Sequence, residues 1–349
     1  MSDLSAERIS AVDQSNMAAA VLEMPDHMRD ALWRVETAAI EHVDSPHGLV
    51  VAGMGGSSAG GMLASAVIGE RASRPIALSR GYELPSWTSS ETTVLCSSYS
   101  GTTEETLAAY EAAGIIGARR VVATTGGQLA ELARADSVPI IPISGGLQPR
   151  AAIGYMLVSA LETAALCGAS ESIHAEIDVA AAHLEPIAAE WGPEGPDDGQ
   201  ARTLARFLKG RIPVIVGVDA TAPVAYRWKT QINEDAAVPA FSAQLPEADH
   251  NEICGWAGAG SLGEFAVVLL ADSDSHPRER RRLEITAELI AADGVPVEIV
   301  ESRGETRIER VMSLVMLGDL VALYLAVLDG TDPTPVPAID SLKAALSAP

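Results

Sequence analysis

Short apolar runs alternate with longer amphipathic stretches along most of this chain, and that rhythm limits the possible folds more than any single motif. Leu49-Val50-Val51-Ala52, Pro75-Ile76-Ala77-Leu78, Thr93-Val94-Leu95-Cys96, Val121-Val122-Ala123 and Pro139-Ile140-Ile141-Pro142-Ile143 have the length and composition of buried strands. The pieces between them, around residues 63–68, 104–113 and 129–133, carry helical spacing. Strand, helix, strand in this order predicts parallel βαβ units with helices on both faces of a sheet. Ahead of them, Met17, Val21, Met24, Met28, Leu32 and Val35 fall three or four apart, which predicts helix up to about Glu41; residues 151–166 are apolar and helical as well. The segment 191–199, rich in glycine, proline and acid, predicts a linker, after which the rhythm restarts. Ile212-Pro213-Val214-Ile215-Val216-Gly217, Phe265-Ala266-Val267-Val268-Leu269-Leu270 and Val295-Pro296-Val297-Glu298-Ile299-Val300 predict a second set of strands, and residues 311–328 a last long helix. The expectation is two doubly wound parallel-sheet α/β domains, residues 1–190 and 201–349, joined by 191–200.

Length agrees, since 349 residues exceed one ordinary core and suggest about two domains of roughly 150–200 residues each. Hydrophobic residues at 48% exclude a disordered polymer, and aromatics at 4% leave the interior to Ala, Val, Leu and Ile. Lys and Arg number 24 against 47 Asp and Glu, for a net charge of −23. Nucleic acid and anionic membranes both demand a basic face, so neither is expected as a partner. Cys96, Cys167 and Cys254 are widely spaced and odd in number, which fits neither a disulfide framework nor a zinc ligand set. No apolar run is expected to reach the roughly 18–20 residues of a membrane span. The polar, acidic start lacks the marks of a signal peptide, and a cytoplasmic protein is the expectation.

Two loops carry the chemistry. Gly53-Met54-Gly55-Gly56-Ser57-Ser58 follows the first strand and opens a helix. Its glycines resemble a dinucleotide fingerprint imperfectly, and Leu78-Ser79-Arg80-Gly81 offers no acidic residue at the end of the second strand, which argues against a nucleotide-dependent oxidoreductase. Ser98-Tyr99-Ser100-Gly101-Thr102-Thr103 likewise ends a strand and precedes a helix. Hydroxyls and main-chain amides converging at a helix N-terminus suit an anion such as a phosphoryl group. Ordinary N-capping by Thr102 or Thr103 explains one such loop equally well; two loops at the ends of neighbouring strands favour a site.

These loops resemble a sugar isomerase (SIS) domain. Together with Gln148-Pro149-Arg150, Trp228-Lys229-Thr230-Gln231-Ile232-Asn233-Glu234, Asp249-His250-Asn251-Glu252, Gly318-Asp319 and Leu342-Lys343, they resemble the bifunctional phosphoglucose/phosphomannose isomerase family nearly from end to end. The resemblance implies two SIS domains, a homodimer, a sugar-phosphate substrate and no metal or other cofactor. Its functional residues, carried over by motif, make Glu234 the proton shuttle, His250 the ring-opening acid, Arg150 the stabiliser of the intermediate's charge and Lys343 a second ring-opening contact. Gly56, Ser57, Ser98, Ser100 and Thr103 would hold the phosphate. Such chemistry needs one carboxylate on a single face of a cis-enediol, an acid for the ring oxygen and donors for the enediolate. Taken singly, Glu234 reads as a solvated helix end, His250 as a loop histidine and Arg150 as a surface arginine; only the joint match favours a site. The chain departs from the family pattern at Ala237, where lysine is expected, at Asp249 in place of asparagine, and at Ala322 in place of serine. These departures keep a second reading open, a sugar-phosphate-binding regulatory or interaction protein with weak catalysis.

Overall fold

In a computed structural model, which describes residues 3–346, the chain forms two compact units, each built on its own parallel sheet. One comprises Glu23–Glu185 with Gly304–Val311; the other comprises Met1–Leu22, Pro186–Arg303 and Met312–Pro349. The first unit's sheet contains β1 (Leu49–Ala52), β2 (Ile76–Ser79), β3 (Thr93–Ser97), β4 (Arg119–Thr124) and β5 (Ile140–Pro142), in the order β2-β1-β3-β4-β5. Every pairing is parallel, with Val50 opposite both Ala77 and Val94. β1 and β3 are buried along their whole length, which is why they read as continuous apolar runs. Val50, Val94, Val122, Tyr110 and Leu129 form the core on one side of this sheet.

The second sheet holds β6 (Ile212–Val218), β7 (Phe241–Leu245), β8 (Phe265–Ala271) and β9 (Val297–Glu301), in the order β7-β6-β8-β9. Its strands are parallel too, and their order repeats that of the first four strands of the other sheet. β7 was not anticipated. Its Ser242 and Gln244 lie at the sheet edge with Phe241 exposed, so the run has neither the apolar continuity nor the burial of the other strands.

Three expectations need correction. The first concerns boundaries, because residues up to Leu22 belong to the unit with the second sheet rather than to the first. The predicted N-terminal helix is interrupted there, with helices Met17–Leu22 and Met24–Thr37 meeting at Glu23 just before Pro25. Second, the expected linker is not loose. Buried Arg202 donates to the carbonyls of Pro193, Gly195 and Pro196 at 2.6, 2.6 and 2.7 Å, so a guanidinium replaces the backbone ladder that Gly and Pro deny this stretch. The unit boundary falls instead at Pro186, inside helix His174–Trp191.

Third, one apolar run is long enough for a membrane. Helix Arg307–Asp329 is long and apolar enough to cross a membrane, yet nearly all of its apolar stretch is buried within the protein. Asp319 on this helix makes a bidentate pair with Arg227, at 3.0 and 2.6 Å, the two side chains 2% and 1% exposed. An all-round apolar helix that is covered by its own protein is a core helix.

Candidate active site

In a sheet of order 2-1-3-4-5 the chain leaves β1 toward one edge and β3 toward the other, opening a crevice at their carboxyl ends where ligands of such folds bind. Both glycine and hydroxyl loops lie there. The β1 loop leads into helix Gly55–Ile68 and the β3 loop into helix Glu104–Ile116, so two helix N-termini, with their unpaired amides, flank one crevice.

The hydroxyls of these loops are held by bonds from the loops themselves. Ser57 Oγ accepts the Tyr99 N–H at 3.2 Å. Ser100 Oγ accepts from the Thr102 N–H at 3.3 Å and the Thr102 hydroxyl at 3.1 Å. Ser98 Oγ accepts the Gly101 N–H at 3.1 Å and lies 2.8 Å from Thr103 Oγ1. Ser57 and Ser100 accept these bonds, which leaves their own hydroxyl hydrogens for a ligand oxygen, and because only one of Ser98 and Thr103 donates to the other, that pair keeps one hydrogen as well. Thr103 occupies the N-cap position of its helix, but its side chain makes no capping bond; it turns to Ser98 instead. Capping alone therefore does not account for this hydroxyl.

Gly56 has a steric role. A Cβ there would lie 2.7 Å from the Pro149 carbonyl oxygen and 3.3 Å from Arg150 Cα, so the missing side chain lets the Arg150 backbone approach the helix that follows β1. Arg150 is 4% exposed, which rules out the reading of a helix-starting surface arginine. Two residues not anticipated from sequence join this group. Arg80, just after β2, donates from Nε to Ser58 Oγ at 2.6 Å, which places a cation near the crevice. Tyr99 ties several of the loops together. Its signal, an aromatic inside a hydroxyl run, was on view in the sequence without a partner to explain it. Cys96, two residues before Ser98, is no nucleophile, because complete burial pushes its thiol up to about 12.

The crossing point of the second sheet is built differently. Thr221 Oγ1 accepts from the Val218 N–H and lies 2.8–2.9 Å from the Val218 and Leu270 carbonyls, so the backbone consumes it. Asp219 and buried Asp272 stand at the ends of β6 and β8. This crossing offers an anion nothing comparable.

Glu234, His250 and Lys343 belong to the second unit. Glu234 lies in the last turn of helix Ala222–Asp235, half-buried, beside the buried face formed by Val224, Trp228, Gln231 and Asp235. The helix is held at depth. Trp228 Nε1 donates to the Leu314 carbonyl at 2.8 Å, and its indole occupies the space that a Cβ on Gly318 would need, at 2.2 Å. The motif pieces Arg227-Trp228 and Gly318-Asp319 are thus mates that mount the helix carrying Glu234. Beyond it, Asn233 Oδ1 accepts the Ala240 N–H at 2.8 Å and ties the helix end to β7. Ala237, in the place of the family lysine, is exposed with φ +54°.

His250 ends the short 3-10 turn Glu247–His250 after β7 and is exposed. The neighbouring Asp249 accepts from Arg282 at 3.1 Å and from Thr286 Oγ1 at 2.9 Å, so the charge that replaces the family asparagine is paired. Asn251 caps the following 3-10 helix, accepting from the Glu252 N–H. Lys343 lies on helix Pro337–Leu346, which has no buried residue. Ala322 is fully buried in helix Arg307–Asp329. The first unit thus gathers Gly56, Ser57, Ser98, Ser100, Thr103 and Arg150 at one crevice, while the other three side chains are carried by the second unit.

Solved structures share this architecture. A hypothetical protein of Thermus thermophilus matches with a TM-score of 0.76 at 16% identity, over 97% of this chain and 93% of that one. A glucose-6-phosphate isomerase like protein of the same organism gives 0.65 at 21% identity, over 99% of both chains. The fold is that of the SIS-domain phosphosugar isomerases. A family profile described as "Bacterial phospho-glucose isomerase C-terminal SIS domain" matches residues 197–346. The bifunctional phosphoglucose/phosphomannose isomerase of Caldicellulosiruptor bescii is 40% identical over 298 residues, covering 84% of this chain and 88% of that protein. This chain belongs to the bifunctional phosphoglucose/phosphomannose isomerase family.

Proposed function

We propose that the protein interconverts glucose 6-phosphate, mannose 6-phosphate or both with fructose 6-phosphate. The observation that carries this reading is the hydroxyl-lined crevice between β1 and β3, in a chain whose relatives bear that activity in their names. The phosphoryl group would sit against Ser57, Ser98, Ser100 and Thr103, with Gly56 allowing close approach. A dianion gains nothing at long range from a protein of net charge −23, but screening over about 8 Å leaves short directed donors to decide binding.

In this reading His250, assisted by Lys343, protonates the ring oxygen as the hemiacetal opens. The carboxylate of Glu234 takes the proton from C2 of the open aldose, and the C–H electrons become the C1–C2 double bond. The carbonyl oxygen becomes an enediolate, whose charge Arg150 stabilises. Glu234 then returns the proton to C1 while the O2 hydroxyl proton passes to O1, so that C2 becomes the carbonyl of the ketose. C2 is planar in the enediol, so the two C2 epimers share one intermediate, which is why one site can serve glucose and mannose phosphates. We further propose a cytoplasmic homodimer. The alternative of a sugar-phosphate sensor is not favoured, since Asp249 is neutralised by Arg282 and the relatives are isomerases.

A coupled assay for fructose 6-phosphate formed from each aldose tests the proposal; tight hexose phosphate binding without turnover would select the sensor instead. Within the crevice, Ser98→Ala and Thr103→Ala are each expected to weaken a phosphorylated competitive inhibitor by about 1.5–3 kcal/mol, roughly 10- to 150-fold, the worth of a hydrogen bond to a charged group. Isothermal titration reads this directly. Parental affinity in both variants would reject the cradle.

A further inference from the structure

We infer that the phenol of Tyr99 is a positioning residue for Arg150, fastening the turn that leads into this arginine to the loop that holds the phosphoryl group; the inference rests on the isomerase reading above. Each polar atom of Tyr99 joins a different segment. Its N–H donates to Ser57 Oγ at 3.2 Å. Its carbonyl accepts from the Thr125 N–H at 3.2 Å and the Thr125 hydroxyl at 2.7 Å. Its own hydroxyl donates to the Ser144 carbonyl at 3.0 Å and accepts the Leu147 N–H at 2.9 Å. The loops after β1, β3, β4 and β5 therefore meet on one residue.

The last of these loops has least support of its own. Gly145 and Gly146 lie between the two groups that the phenol holds, Gly146 at φ +93°, and no atom lies within 4 Å of where a Cβ on either would stand. Two glycines in an open turn lose much backbone entropy on ordering, so a fixed anchor matters there. Three residues after Leu147 comes buried Arg150, whose Cα is packed against Gly56. The phenol thus closes the turn from which the arginine emerges, at the same residue whose N–H orients Ser57. Burial holds the Tyr99 hydroxyl above its usual range, partly offset by the Leu147 N–H, which keeps it a proton donor to Ser144 at neutral pH.

Tyr99→Phe keeps the ring and all main-chain bonds and removes only this closure. Because displacing a catalytic group by about 1 Å can cost on the order of 100-fold, kcat is expected to fall about 10- to 100-fold while KM and inhibition by inorganic phosphate stay within about twofold. A mere space-filling ring would not give that split. In an Arg150→Lys background the same change is expected to add less than about twofold, because both substitutions disturb one interaction. Hydrogen exchange should quicken at residues 144–151 of Tyr99→Phe. Parental kcat in Tyr99→Phe, or losses that multiply fully with Arg150→Lys, overturn the inference. If the parent does not isomerise hexose 6-phosphates, the isomerase reading falls on its own; exchange then decides the closure, and unchanged protection overturns it.

Discussion

Glu234→Gln is expected to lower kcat about 10²–10⁴-fold with a modest change in KM, the signature of a lost general base. Glutamine keeps the shape of the side chain but cannot carry a proton from C2 to C1. The substitution should leave the helix in place. Glu234 is not one of the residues that bury helix Ala222–Asp235; those are Val224, Trp228, Gln231, Ile232 and Asp235, with Arg227 pairing below them. In the proposed mechanism the phosphoryl group is held elsewhere, by the hydroxyl loops, so binding should persist. Steady-state kinetics in both directions check this, and unchanged turnover would remove Glu234 from the mechanism.

The largest effect on stability is expected at Asp319. Its carboxylate makes two hydrogen bonds to Arg227, and both side chains are all but fully buried. Asp319→Ala takes a bidentate carboxylate away from a guanidinium in the core, a loss of about 3–5 kcal/mol. Arg227 lies seven residues before Glu234 on one helix, so the same change should also lower activity. Replacing both partners, Arg227→Met with Asp319→Leu, is expected to recover most of the stability, because both charges of the pair are removed together. Urea unfolding of the parent and both variants decides it. Asp319→Ala within about 1 kcal/mol of the parent would contradict an anchoring role.

The fold was legible where burial on both faces forced continuous apolar runs, as in β1, β3, β4, β6 and β8. It was not legible in β7, where an edge strand carries Ser242 and Gln244. Nor was the real course of residues 191–199, because the bonds that order them come from Arg202, outside the segment. The expected absence of a membrane-length run failed on helix Arg307–Asp329, whose apolar surface faces its own protein. At the crevice, serine and threonine spacing pointed to the loops, since strand ends and helix starts are local features. Arg80 and Tyr99 went unnoticed because their meaning lies in long-range contacts, to Ser58 in one case and to Ser57, Thr125, Ser144 and Leu147 in the other. The motif pieces Trp228 and Gly318 were visible separately, but that one fits into the space left by the other is a fact of packing.

The most direct test is a crystal structure with a hydroxamate mimic of the hexose phosphate enediolate. The account predicts phosphate oxygens within hydrogen-bonding distance of Ser57, Ser98, Ser100 and Thr103, with a Glu234 carboxylate, from the same chain or a second copy, against the atoms that stand for C1 and C2. A phosphate bound away from those hydroxyls, or a mimic that no Glu234 reaches, would contradict it.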